Sequence, residues 1–150
     1  MIRSSIIDRG RAIPLVWKVL EHHSSRVAYE AYKDVWDRAS TRLPLQCRVI
    51  FLADRGFADP KLMAHLSRLD WHWRIRIKGS VWIDRGDHHG YKVNRLALSP
   101  GEACFWPRVY STQSRYGPVH FARAWSQDSQ ENWVVVSDEP TESKTFDEYG

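Results

Sequence analysis

Val49-Ile50-Phe51-Leu52-Ala53-Asp54-Arg55-Gly56-Phe57 decides how this chain is read. Its unbroken apolar run reads as a strand buried on both faces, the kind found inside a parallel sheet. The run closes on a carboxylate and a glycine turn. A helix start follows at once, since Asp59 can cap it and Pro60 suits the first helical position. Ligands of open α/β sheets collect at the carboxyl ends of such strands. Asp54 is therefore the first candidate for a metal or substrate contact.

Upstream, Ile2 to Ile7 and Ala12 to Leu20 flank the turn-like cluster Asp8-Arg9-Gly10-Arg11 and predict a β-hairpin. Pro14 predicts an edge or an irregularity in the second strand. From Ser25 the spacing becomes helical, with Ala28, Tyr32, Val35, Trp36, Ala39 and Leu43 on one face and Pro44 as the stop. The strand Cys47 to Ala53 follows. A helix from Asp59 to about Leu69 then turns Leu62, Met63, Leu66 and Leu69 inward. Trp71 to Lys78 alternates, with Trp71, Trp73, Ile75 and Ile77 on one face and His72, Arg74, Arg76 and Lys78 on the other. After Gly79 come short β-like pieces (81–83, 91–98, 104–110, 119–125 and 133–137) between Gly, Pro, Asp and Ser turns. Helical texture returns only at Thr145 to Tyr149.

The chain has 150 residues, enough for about one domain with a real core. Its 43% hydrophobic and 27% charged content is ordinary for a globular protein. The net charge of +4 is unevenly placed. Arg74, Arg76, Lys78, Arg85, Lys92 and Arg95 cluster in the middle, and Asp128, Glu131, Asp138, Glu139, Glu142, Asp147 and Glu148 in the tail. A local basic surface suits an acidic partner such as nucleic acid. Cys47 and Cys104 lack metal or disulfide spacing and read as reduced, small core residues of a cytoplasmic protein. No stretch reads as a membrane span or a leader.

Taken together, Asp54-Arg55-Gly56-Phe57, the strand Gly10-Arg11-Ala12-Ile13-Pro14-Leu15-Val16-Trp17 and the strand Trp73-Arg74-Ile75-Arg76-Ile77-Lys78 resemble DDE-type bacterial insertion-sequence transposases. The match is to the branch with a β-rich insertion before its final catalytic Glu. Phe146-Asp147-Glu148-Tyr149-Gly150 resembles the opening of that branch's last motif, a Tyr followed by Arg, Glu and Lys on one helix. The fold implied is α/β: an incomplete ribonuclease H-like mixed sheet with flanking helices plus an all-β insertion. Residues 1–79 would be the partial core, 80–140 the insertion and 141–150 the start of the C-terminal catalytic helix region.

The function implied is that of a transposase fragment, cleaving and joining the ends of a mobile DNA element by in-line attack on phosphodiesters. Two Mg²⁺ ions about 3.5–4 Å apart serve such chemistry. The family uses three carboxylates. Asp54 matches the second; the first belongs to a strand that precedes the hairpin and forms the middle of the sheet, and the third follows the motif Tyr. The resemblance therefore implies an internal fragment, inactive as it stands, with Asp54 as both catalytic and metal residue and Tyr149 as a DNA contact. DNA element ends are the implied partner, with room for a homodimer in the intact enzyme and no membrane partner. Loss of the middle strand predicts exposed apolar edges on the hairpin and on the 47–53 strand, with association or low solubility as the result.

Each candidate also has a plainer reading. Asp54 could simply cap the following turn. Arg74, Arg76 and Lys78 are the phosphate candidates, positioning DNA without reading its sequence, or they are a solvated strand face; Arg11 and Arg55 are weaker candidates. Asp8 reads as a turn former, Asp59 as a helix cap and Asp138-Glu139 as an exposed turn. Trp36, Trp71 and Trp73 read as core. Two readings compete with the transposase fragment. One is a non-catalytic DNA-binding remnant or accessory module. The other is an unrelated β-rich interaction protein, which a structure with no strand ending at Asp54 would favour.

Overall fold

The hairpin forms as its turn chemistry dictates. Strand β1 (Ile2–Asp8) pairs antiparallel with β2 (Arg11–Lys18) through a two-residue turn at Arg9 and Gly10. Both turn residues have positive φ, 47° and 75°, the twist that favours tight hairpins and that glycine adopts at no steric cost. The register slips between Ser4 and Ser5, opposite the segment holding Pro14, so the proline sits at a bulge as expected. The structure, a computed structural model, describes residues 1–21, 27–87, 89–112, 116–125 and 131–147.

The first helix differs from its sequence expectation. A 3-10 turn at Tyr29–Ala31 precedes α1 (Lys33–Ser40), which ends before Pro44. Tyr29, Tyr32, Val35, Trp36 and Ala39 are buried, while Ala28 is exposed. Strand β3 (Ile50–Ala53) begins later than Cys47 because its parallel partner β4 (His72–Arg76) starts only at the Ile50–His72 pair. Between them α2 (Pro60–Arg68) starts on the Asp59 cap, whose carboxylate accepts from Lys61 N at 2.8 Å. It stops where Asp70 turns left-handed (φ 59°) and Trp71 N donates to Leu66 O, a closure that satisfies the last carbonyls.

The remaining strands are β5 (Trp82–Asp84), β6 (Gly90–Lys92), β7 (Ala103–Ser111), β8 (Tyr116–Trp125) and β9 (Asn132–Ser137). Seven strands form one sheet in the order β3-β4-β9-β8-β7-β5-β6, parallel only between β3 and β4; β1 and β2 form a second sheet. The described residues are thus mixed α/β, with a large, mostly antiparallel sheet and two helices. Strands on both sides of residue 80 share that sheet, because β9 returns to pair with β4. No helix among the described residues is long and apolar enough to cross a membrane.

Two expectations are corrected. β3 is not buried on both faces: it is an edge strand, and every residue in it is only half-buried. Cys47 is exposed instead of packed, lying before the pairing begins. The core is built instead around Trp36, Trp73, Phe121, Leu62, Leu66 and Ile75.

A polar clip, buried at Tyr29 and His65 and open to solvent at Asp37, ties the helices together. Tyr29 Oη and His65 Nδ1 lie 2.7 Å apart, and His65 Nε2 lies 2.8 Å from Asp37 Oδ1. Neighbouring Tyr32 is 2% exposed. Burial, aided by the Asp59 carboxylate, pushes its phenol from 10.0 up to about 12. The fold holds the neutral phenol, so this contribution is complete below pH 10 and is lost as pH rises to 12, about 3 kcal/mol in all. Alkaline unfolding is expected inside that window when followed by circular dichroism. Tyr32→Phe should move its midpoint upward, and an unchanged midpoint would show that the phenol does not set it.

Candidate functional site

Asp54 directly follows the last residue of β3, and it lines a large hollow together with both edge strands. This cleft, about 810 Å³, is bordered by 3–7 of β1 on one side and 49–54 on the other, with Trp36 and Leu15 among its walls. Side chains alternate between faces along a strand, so a lining of consecutive residues means that the strand edge borders the hollow. Neither edge has a partner among the described residues, since β1 pairs with β2 alone and β3 with β4 alone.

The Asp54 carboxylate is exposed and caps the 3-10 turn Arg55–Phe57, accepting from Arg55 N at 2.6 Å. Turn cap and cleft rim are thus the same residue. Mg²⁺ wants an octahedral oxygen shell, with carboxylates and several waters. No group of three or more His, Cys, Asp or Glu that could hold a metal ion occurs among the described residues. The described residues therefore do not build the implied Mg²⁺ site, and a single carboxylate cannot hold two hard cations against water.

Asp138 and Glu139 lie at the other end of β3 from Asp54, and they are half-buried fasteners in place of the exposed turn expected. Asp138 accepts from Trp73 N at 2.8 Å and lies 2.9 Å from His72 Nδ1. Arg48 donates to Glu139 at 2.5 Å, and Arg74 lies 3.9 Å from the same carboxylate. The reason is register: β9 delivers these residues beside the start of β4, with Ser137 opposite Arg74.

The alternation of β4 holds, yet its basic face is largely occupied. The Arg74 side chain is 12% exposed. Arg76 stacks over Trp133 at 4.1 Å and lies 3.6 Å from Glu131, a stacking geometry that suits a planar guanidinium. Lys78 is exposed, as are Arg11 and Arg55. Tyr149 lies outside the described residues.

Arg123 on β8 was not singled out from the sequence. It is 5% exposed, and it donates to Val93 O at 2.8 Å, to Leu96 O, and to Asn132 Oδ1 at 3.0 and 2.7 Å. Burial holds its guanidinium below the usual arginine range. The sequence of β8 carries no distinct signal for it, since His120 also interrupts the apolar 119–125 run. No family model, curated protein or solved structure matches the chain.

Proposed function

We propose that this chain is the Asp54-bearing part of a DDE-type transposase core, one that binds DNA and does not cut it alone. The observation that carries the reading is the cleft between β1 and β3. The transposase resemblance calls for a middle strand between the hairpin and the strand that ends at Asp54, and two unpartnered strand edges face each other there across a hollow rimmed by that carboxylate. Within this reading Asp54 is one member of a shared carboxylate set. The other members belong to a strand in the cleft and to a later helix. DNA contact rests on the exposed cations Lys78, Arg55 and Arg11 more than on Arg74 and Arg76, which the fold already uses.

Fluorescence anisotropy with a DNA duplex across a salt series tests the proposal. Binding should weaken steeply with salt, and Lys78→Ala should lower the log–log slope by about one. Absence of binding at low salt sinks the DNA reading. Divalent-dependent nicking by the wild-type chain that vanishes in Asp54→Ala sinks the claim that the chain does not cut alone.

A further inference from the structure

A second, smaller hollow of about 170 Å³ is lined by Arg55, whose chain neighbour Asp54 lines the cleft. Three arginines from three elements border it: Arg55 after β3, Arg76 on β4 and Arg123 on β8. Asn94 and Asn132 complete its polar wall, and none of its lining residues is acidic. Gly79 lets the wall close. Asn94 N donates to Gly79 O at 2.8 Å, and a Cβ on Gly79 would come within 3.2 Å of the Asn94 Cβ.

The electrostatics of this hollow are unbalanced. Arg123 is buried, yet among the described residues its bonds go to two carbonyls and an amide, all neutral acceptors. A buried cation without a counter-charge is costly. Arg76 has a partial counter-charge in Glu131, but that carboxylate is 60% exposed and does not line the hollow. Arg55 adds a third positive charge from the exposed side.

The geometry points to a subsite for one phosphate group, with the exposed Arg55 as its open fork and the charges of Arg76 and Arg123 in its wall. Guanidinium forks match phosphate oxygens, and a tetrahedral oxyanion presents acceptors in more directions than a carboxylate can. The hollow is worth about six waters of liquid volume, room for a phosphoryl group and not for a base with its sugar. Two sources share this chemistry, a backbone phosphate of a polynucleotide and free inorganic phosphate. The subsite stands on the arginine geometry and does not require the transposase reading. If that reading holds, the group it takes is a backbone phosphate of DNA.

Arginine Nε–H resonances of the ¹⁵N-labelled chain provide the test. Inorganic phosphate is titrated at constant ionic strength against chloride, and a short oligonucleotide without terminal phosphates is titrated separately. Phosphate should shift the Arg123 resonance saturably, and Arg55→Gln, a change at an exposed residue, should weaken that binding about tenfold. Competition by the oligonucleotide for the same resonance identifies a backbone phosphate as the ligand. A phosphate-filled site that the oligonucleotide leaves untouched identifies free phosphate, and the subsite stands without the DNA reading. An Arg123 resonance indifferent to both probes overturns the subsite, as does unchanged affinity in Arg55→Gln. Oligonucleotide binding that bypasses Arg123 overturns it too while leaving the DNA reading intact.

Discussion

Trp36→Ala is expected to remove about 3–5 kcal/mol of folding stability, the range for deleting a large buried aromatic. Trp36 is 2% exposed on α1. Its ring meets Phe51 of β3 edge-on at 4.8 Å, Tyr32 at 6.1 Å and Phe57 at 6.2 Å. That one side chain ties the first helix, the edge strand and the turn capped by Asp54. A domain of this size holds only about 5–15 kcal/mol in total, so the variant should be largely unfolded near its former midpoint. Urea denaturation followed by far-UV circular dichroism measures the loss. The indole Nε1–H is buried without an acceptor among the described residues. Trp36→Phe therefore removes a stranded donor along with some packing, and its cost should be about 1–2 kcal/mol. A cost below about 1 kcal/mol for Trp36→Ala would mean that the helix does not need this anchor, and the wall of the cleft would have to be held otherwise.

What could be read from the sequence was the face of each element, and what could not was its neighbour. The period of two at Trp71–Lys78 correctly turned Trp71, Trp73 and Ile75 inward, because alternation is a local property of the backbone. The run at Val49–Ala53 was misread because apolarity reports a preference for burial and not whether a partner is there to provide it. β3 is apolar on both faces and still half-exposed, since a sheet partner is found on one side alone. The return of β9 to β4 joins Arg74 to Ser137, a pairing that no local pattern encodes. That pairing turned Asp138 and Glu139 from a predicted exposed turn into fasteners between β9, β4 and the segment leading into β3. His65 was legible in principle, lying on the same helical stripe as Leu62, Leu66 and Leu69. Arg123 was not, because two of its acceptors are main-chain carbonyls about thirty residues away, and carbonyls leave no mark on composition. The candidate site followed the same division: Asp54 at a strand end was local and legible, while the cleft beside it and the arginines of the smaller hollow are products of tertiary pairing.

Self-association is the second large effect expected, and it follows from the same two edges. A strand edge carries a row of N–H and C=O groups ready to pair with another chain. On β1 that edge is apolar as well, with Ile6 and Ile7 exposed by 42% and 65%, and Trp17 on the neighbouring strand is 58% exposed. Water can solvate the backbone groups of an edge but gains nothing from the isoleucines, so at high concentration a second copy of this chain is the better partner. Sedimentation velocity should show an average mass that climbs above 17.6 kDa as concentration rises. Ile7→Lys places a charge on the rim, a device that natural edge strands use against pairing, and should return the mass toward the monomer with the circular dichroism spectrum unchanged. Lys78→Ala, away from either edge, should leave the association as it was. A wild-type chain that remains at 17.6 kDa across the whole range and melts cooperatively would mean that both edges are satisfied within a single copy. The cleft would then need no further strand, and Asp54 would not be one member of a carboxylate set shared across it.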